Sequence, residues 1–480
     1  MNILGIGGVL SDSAAALIQD GTLAAAIEEI KLTRKSQPGR LPEQAMETCL
    51  GMASLKPENV DYIALARPLP PGPEVALALR RFINAKIVSV DHHAAHAASA
   101  YFASPFEDAT VITLDRQGDL RCGSTWFGEG NRLWLQNEIL YPNSIGELYG
   151  QVTERLGFQA RADEHRVQWL STSGEPKYDL APGGDLSLPG AKPADIAASM
   201  QQSLSEYVLR LAGSARNVCM AGGVAWNALL VSTLEANFEG VFAQPAAGNA
   251  GTALGAALSV WHETLGKTKR IGANYSLGPA FAAAEIKQVL ENCKLRFHLL
   301  STVPEQLNET VRLLKDNRIV AWMQGRMEFG PRALGNRSIL ASPDDPYSAE
   351  NLNTFIKHRE STRKFAASVP AELASEYFEV GTNARHLATV SKVRPQYKER
   401  FQSALLSQDQ IRVHTVEKGD NELYWQLLHQ FGKSNGMPVL YNTSFNLFGE
   451  PLVCTPRDAV RSFYSSGIDA MVAGNFLLEK

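Results

Sequence analysis

The sequence predicts an α/β protein whose N-terminal half is built twice on one plan. Three observations lead to that expectation. A succession of short apolar segments, an acid-bearing polar loop and a Gly-containing turn occurs at the N-terminus and recurs near residue 110. Stretches with apolar positions at helical spacing follow each occurrence. Strands alternating with helices then point to the α/β class.

The elements follow in order. Ile3-Leu4-Gly5-Ile6-Gly7-Gly8 reads as a buried strand opening into a Gly-rich loop. A second strand ends at Gln19-Asp20-Gly21, where Asp-Gly between apolar runs signals a hairpin, and a third strand or helix start runs through Ala26. In the second occurrence, residues 109–114 form a β-rich run, 115–119 a polar loop, 124–127 a strand, Gly128-Glu129-Gly130 a turn, and Leu133-Trp134-Leu135 another strand. Two units of strand, acidic loop, strand, turn and strand describe a duplicated ribonuclease-H-like domain, its cleft facing the loops. Helices are expected over 42–53 and 196–212. Periodicity is lost around Tyr275-Ser276-Leu277-Gly278-Pro279, and helices over 286–293 and 302–315 precede a strand at 319–322. The boundary is placed between about 279 and 300, giving domains 1–290 and 291–480.

Composition excludes several classes. The 480 residues are 45% hydrophobic, enough to fill real cores, so disordered and fibrous classes are out. With 46 Lys+Arg against 50 Asp+Glu the net charge is −4, which gives no electrostatic reason to expect nucleic acid or an anionic membrane as partner. Five cysteines without a CxxC argue against a disulfide framework and a zinc finger. The N-terminus has no basic n-region and Asp12 interrupts its apolar stretch, which speaks against a secretory signal. The uncharged stretch 241–261 contains Gln244, Pro245, Asn249 and several glycines, ill-suited to a membrane span. The expectation is a soluble, reduced, cytoplasmic protein.

Asp91-His92-His93-Ala94-Ala95-His96 is the sharpest short signal of the first half. On a helix, His92 and His96 are four apart and can point into one cleft, where two neutral imidazoles chelate a divalent metal. The alternative is a solvated helix start capped by Asp91. Asp115, closing its strand, is a further carboxylate for the same cleft or an ordinary strand-end turn residue. Gly222-Gly223 and the loop 245–251 precede helix starts whose amides suit phosphate or carbamoyl oxygens, although close helix packing is the commoner explanation of such glycines.

The strongest signal is Gln324-Gly325-Arg326-Met327-Glu328-Phe329-Gly330-Pro331-Arg332-Ala333-Leu334-Gly335-Asn336-Arg337-Ser338. Its arginines, separated by glycines and a proline, suggest a rigid loop presenting guanidinium forks to phosphate. Lys357-His358-Arg359-Glu360 to Arg363-Lys364 is a second basic cluster or a solvated helix face, and Leu440-Tyr441-Asn442-Thr443-Ser444-Phe445-Asn446 ends a strand in polar side chains fit for a nucleotide or carbamoyl group, or in a purely structural polar turn.

Together these motifs resemble the O-carbamoyltransferase family that includes the nodulation, cephamycin and tobramycin carbamoyltransferases. The resemblance spans nearly the whole chain: Asp12-Ser13-Ala14-Ala15-Ala16-Leu17, the run from Asp91, Ala221-Gly222-Gly223-Val224-Ala225, Gln244-Pro245-Ala246-Ala247-Gly248, the run from Gly325, and Asn442 to Asn446. It implies an actin-like N-terminal domain, similar to the tRNA-threonylcarbamoyl transferases, and a smaller YrdC-like C-terminal domain. It implies that the C-terminal site turns carbamoyl phosphate and ATP, with Mg, into carbamoyl-adenylate. A divalent metal in the N-terminal site, with iron expected, then helps pass the carbamoyl group to a small-molecule acceptor in natural-product biosynthesis. The resemblance puts His92, His96 and Asp115 at the metal, with Asp12, Asp115, Arg326 and Lys357 in catalysis. It puts Arg326, Arg332, Lys357, Arg359, Arg412, Asn442, Thr443 and Ser444 at the nucleotide or carbamoyl phosphate. Similar enzymes are often dimers, so a homodimer is the expectation.

The chain departs from the family's pattern at informative places. The usual His-Asp of the first loop is Ser11-Asp12, and the acidic residue of the loop 245–251 is Asn249, which lowers the expected affinity for a hard cation. The usual Asp-Gly-x-Gly-Glu is Asp115-Arg116-Gln117-Gly118-Asp119, which adds a bulky cation beside the metal, and only Arg412 remains of a His-x-Asp-Gly-Thr-x-Arg run. Two expectations therefore stand: a working carbamoyltransferase with an unusual hydroxyl or amine acceptor, or a nucleotide-binding pseudoenzyme or partner-dependent subunit. A generic actin-like ATPase or sugar kinase leaves the arginine loop unexplained.

Overall fold

The computed structural model describes residues 1–272, 274–345, 347–358, 364–407 and 409–480. The chain divides into two compact units, Met1–Ala273 and Asn274–Lys480.

The first unit holds two five-stranded sheets. One is built from β1 (Asn2–Gly7), β2 (Ala14–Gln19), β3 (Thr22–Glu28), β4 (Tyr62–Ala66) and β5 (Lys86–Val90) in the order β3-β2-β1-β4-β5. The other comprises β6 (Asp108–Leu114), β7 (Arg121–Glu129), β8 (Arg132–Leu140), β9 (Asn217–Ala221) and β10 (Gly240–Ala243) in the order β10-β9-β6-β7-β8. In each, the first three strands pair antiparallel and the last two continue parallel from the first. The duplication expected from the sequence is thus present strand for strand. The hairpin expected at Asp20-Gly21 turns through two residues of positive φ, 49° and 73°, the backbone that a tight two-residue turn requires.

The first sheet's strands are buried apolar runs rather than alternating ones, because helices cover them. The helix Gly251–Ser259 lies directly on β1: a Cβ at Gly5 would stand 2.0 Å from Ala253 O. The same helix crosses the helix His92–Tyr101 so closely that a Cβ at Gly255 would stand 1.7 Å from Ala95 O. Small residues are the condition for that approach, and the approach fixes where the histidine-bearing helix sits. Glu29 accepts the amides of Ala45 at 2.7 Å and Gln44 at 3.3 Å, capping the helix Glu43–Met52 from a distance in sequence.

The second unit is built on a ten-stranded mixed sheet. Its strands are β11 (His298–Leu299), β12 (Val320–Met323), β13 (Arg337–Ala341), β14 (Ala366–Pro370), β15 (Phe378–Glu379), β16 (Ser391–Val393), β17 (Gln410–Val416), β18 (Leu440–Ser444), β19 (Ala470–Ala473) and β20 (Phe476–Glu479). They run in the order β11-β20-β19-β12-β13-β18-β14-β17-β16-β15. Ala321, Met323, Ile339 and Ala341 join one core, whereas Val320, Trp322 and Leu340 join the other, as the two-residue period of strands covered on both faces dictates. Both units are therefore α/β, as the sequence predicts.

The division falls earlier than the expected 290/291. Ile286 and Leu290 are buried in the second unit's core, and the chain from Tyr275 to Pro279 bonds along the arginine loop: Gly278 N–H to Met327 O at 2.8 Å, Met327 N–H to Pro279 O at 3.1 Å, Phe329 N–H to Tyr275 O at 2.7 Å. The loss of periodicity there marks a segment bound to the loop rather than a linker. Among the described residues no helix is long and apolar enough to cross a membrane.

Candidate functional site

In the first unit, Asp91 caps the helix His92–Tyr101 by accepting the amides of His93 at 3.0 Å and Ala94 at 3.3 Å, while Arg121 donates to it at 2.9 Å. The capping role and the clustering of histidines hold together: the cap sets the first turn, and the first turn aims His92 and His96. Both meet Asp115 at the end of β6. His92 Nε2 lies 2.8 Å and His96 Nε2 3.0 Å from Asp115 Oδ2, and all three residues are buried. The other carboxylate oxygen accepts the amide of Gly223 at 2.5 Å. That amide, one of those suited to a ligand oxygen, serves to orient the aspartate.

The electrostatics follow from burial and proximity. Burial opposes charge on Asp115, but the two imidazoles outweigh it and hold the carboxyl well below its ordinary range. Burial also opposes charge on His92, where the hydrogen bond to Asp115 prevails and raises the imidazole, whereas burial prevails at His96 and lowers it. His93 points away. Its Nδ1 is 2.8 Å from Thr113 Oγ1 and its Nε2 3.3 Å from Arg121 O, and burial lowers it to about 4. It is a wedge between strands, not a third member of the cluster.

His92, His96 and Asp115 each offer one ligand atom, and these atoms lie within 4.8 Å of one another. His96 Nε2 and Asp115 Oδ2 stand 3.0 Å apart, a separation that two ligand atoms of one ion can have. Two imidazoles and a carboxylate fit a divalent transition ion. Gly118 leaves the space beside them: a Cβ there would stand 2.7 Å from His92 Cδ2.

The residues that depart from the family's pattern are also placed. Asn249 donates its side-chain amide to Ser11 Oγ at 2.7 Å, and Asp12, next to Ser11, is exposed in the loop between β1 and β2. Arg116 does not add its charge beside the histidines as expected. It pairs through two nitrogens with Glu147, on the helix Ile145–Arg155. Trp226, which sequence reasoning passed over, is partly exposed on the turn that begins at Gly223, and its ring lies against Gly248.

In the second unit the arginine loop is wound around Glu328. Its Oε1 accepts the amides of Leu334 at 2.7 Å, Asn336 at 2.9 Å and Arg337 at 3.1 Å. Arg337 is fully buried and donates to Gln324 O at 2.7 Å and Pro279 O at 3.2 Å, so it braces the loop and does not face solvent. Arg326, half-buried, donates to Leu277 O at 2.6 Å and Gly278 O at 3.2 Å. Arg332 is half-buried in the same loop. The loop is braced by its own hydrogen bonds, and of its three arginines one serves the fold outright.

Lys357 brings the second cluster to the strand end. Its Nζ donates to Ser444 O at 2.5 Å, Asn446 Oδ1 at 2.7 Å and Asn446 O at 2.9 Å, so the segment 442–446 closes around an ammonium. Ser444 Oγ donates to Asn446 Oδ1 at 2.7 Å, and Thr443 is half-buried beside it. Ala366 pairs with Arg412 on one side and Asn442 on the other, which sets these two side chains on one face of the sheet. Arg412 is half-buried and donates to Lys364 O at 2.9 Å. Arg359 and Arg363 lie outside the described residues.

Comparison with known proteins matches residues 2–68, 74–183 and 184–258 to the carbamoyltransferase N-terminus and residues 311–480 to the carbamoyltransferase C-terminus. The uncharacterized protein sll1178 of Synechocystis sp. is 34% identical over all of this chain and 97% of its own length. The nodulation protein NolNO of Sinorhizobium fredii is 31% identical over 98% of this chain and 79% of its own. Among solved structures, the HypF of T. kodakarensis aligns with 55% of this chain and 48% of its own at 16% identity and a TM-score of 0.38.

Proposed function

Because this chain belongs to the carbamoyltransferase family and is a transferase of carbamoyl groups, we propose that it makes carbamoyl-adenylate in its second unit and spends that intermediate in its first. In the second unit carbamoyl phosphate loses phosphate to water, and the carbamate oxygen attacks the α-phosphorus of ATP, with Mg bound to the nucleotide, releasing pyrophosphate. In the first unit a hydroxyl or amine of a small molecule displaces AMP and leaves a proton. The product is a carbamate or urea on a metabolite, which suits a role in natural-product biosynthesis.

The observation that supports this best is the buried meeting of His92, His96 and Asp115 in a chain that also has Lys357 folded into the segment 442–446. A divalent metal held by those three residues would supply Lewis-acid polarisation of the carbamoyl carbonyl. The chain's own residues do the rest. Arg326, Lys357 and Arg412 exchange neutral oxygen partners for phosphate oxygens, which bind guanidinium and ammonium more strongly, and Arg332 and Arg359 add their charges to the same phosphates. Asn442, Thr443 and Ser444 orient the carbamoyl end, and Asp12 takes the acceptor's proton.

The test is pyrophosphate exchange into ATP with purified protein, with and without carbamoyl phosphate, together with metal analysis of the same sample. Exchange that needs carbamoyl phosphate and disappears in Arg326→Gln supports the reading, and its absence from a folded, ATP-binding sample overturns it. The Asn249–Ser11 contact favours a second reading, a subunit that binds nucleotide but needs a partner for transfer. Multiple turnovers to an acceptor by this protein alone would dispose of that one.

A further inference from the structure

Behind Asn442 lies a buried polar relay that the proposed chemistry does not use. Asn442 Nδ2 donates to Ala333 O at 3.1 Å and to Ser368 Oγ at 3.2 Å, and Ser368 Oγ lies 3.1 Å from His414 Nδ1. Asn442, Ser368 and His414 are all buried. A carbonyl oxygen accepts and never donates, so Ala333 O admits only the NH2 end of the asparagine. The amide's orientation is thereby fixed by chemistry: nitrogen toward Ala333 and Ser368, oxygen the other way. That oxygen, Asn442 Oδ1, is buried and has no hydrogen-bond partner among the described residues.

Ser368 receives one amide proton and passes its own to His414 Nδ1. Burial keeps the imidazole neutral, lowered to about 3, and with its proton on Nε2 the ring offers Nδ1 as the acceptor for Ser368. His414 is in turn held from behind, its ring stacked with that of Tyr424 at 6.2 Å. A buried acceptor left open is costly unless a ligand supplies the donor. Its position is on the face of the sheet that also carries Arg412, one of the cations proposed above to bind phosphate.

We infer that Ser368 and His414 are positioning residues that hold the Asn442 carbonyl oxygen open for an N–H donor, so that the pocket distinguishes a carbamoyl group from an acyl group of the same shape. Carbamoyl phosphate presents NH2 where acetyl phosphate presents CH3, and the two are otherwise nearly isosteric. Removing the Ser368 hydroxyl takes away one of the two acceptors that hold the NH2 end and leaves Ala333 O alone, so the Asn442 oxygen is held less firmly toward the carbamoyl N–H, a donor that the methyl of acetyl phosphate lacks. This deepens the proposed function, since it rests on carbamoyl phosphate as the second unit's ligand.

The experiment measures binding of carbamoyl phosphate and of acetyl phosphate by calorimetry, beside pyrophosphate exchange driven by each, in wild type, Ser368→Ala and His414→Gln, with melting curves to establish folding. The expected result is a wild-type preference for carbamoyl phosphate that falls at least about 10-fold in Ser368→Ala while ATP binding stays unchanged. A folded Ser368→Ala protein that keeps the wild-type ratio overturns the inference, and so does a wild type that binds both phosphates equally. Should Ser368→Ala not fold, the His414→Gln ratio and the wild-type preference decide by the same criteria. Preferential binding of carbamoyl phosphate, lost in the variants and without any exchange, would uphold the inference and overturn the proposed function; exchange driven equally by both phosphates would do the reverse.

Discussion

Asn249 gives its side-chain amide to the hydroxyl of Ser11 at 2.7 Å, so the two residues expected to replace the family's acid and imidazole hold each other without charge. The cluster beside them is left with one carboxylate, Asp115, to balance a divalent ion. Asn249→Asp restores a second carboxylate, and it should tighten Zn2+ or Fe2+ binding by about 10-fold or more, about 1.4 kcal/mol. Calorimetric titration of metal-free protein checks this. Unchanged affinity would mean that position 249 does not face the ion.

Gly255 is where the two small-residue helices of the first unit touch. Gly255→Val must push Ala95 away, and overpacking of this kind costs about 3 kcal/mol. Since Ala95 lies between His92 and His96, metal binding should weaken with it. Gly150→Ala is the control: its nearest neighbour would be Arg116 at 3.5 Å, and stability should stay level or rise. Urea unfolding of both variants decides the matter, and equal losses would refute the packing argument.

The Arg116–Glu147 pair is partly exposed and orients a loop without reaching the metal ligands. Glu147→Gln should cost about 1 kcal/mol and leave metal affinity as it was. A variant that lost metal would place Arg116 in the site after all.

Glu328 organises three backbone amides and lies close enough to Arg337 to favour its charge against the burial that lowers it. Glu328→Ala should destabilise the second unit by about 3–5 kcal/mol, because it leaves a buried guanidinium and three amides uncompensated. Glu328→Gln, which keeps an acceptor, should cost less. Denaturant midpoints that rank the two variants the other way would contradict this account.

Acid should loosen the second unit. Burial lowers His414 from 6.5 to about 3, so an unfolding chain takes up a proton there that the folded chain refuses. The stabilisation is complete above about pH 6.5 and is lost progressively as pH falls towards 3. Between pH 6.5 and 5 this one residue accounts for about 2 kcal/mol. His414→Phe should therefore show a shallower fall of unfolding free energy with acid, and parallel curves for variant and wild type would exclude the assignment.

Local pattern in the chain reveals what local geometry decides. Asp20-Gly21 announces its turn, the four-residue spacing of His92 and His96 announces a shared direction, and Asp115 announces the end of a strand. What stays hidden depends on partners remote in sequence. Nothing near Arg116 points to Glu147, nothing near Arg337 says that it will be buried beneath a loop, and Ser368, His414 and Asn442 come from three strands joined only by the sheet. The segment 275–279 looks like a linker because its partner, residues 327–329, lies some 50 residues on.

The repeated strand order has a consequence for ancestry and symmetry. In each half a helix follows the last parallel strand, His92–Tyr101 after β5 and Gly251–Ser259 after β10, and these equivalent helices cross at Ala95 and Gly255. A pseudo-twofold axis therefore runs between them. Such a frame provides every position in two copies: the loop bearing Asp115 answers to the loop bearing Asp12, and the helix that carries His92 and His96 answers to one with no histidine. The candidate site is an asymmetric choice made on a symmetric scaffold.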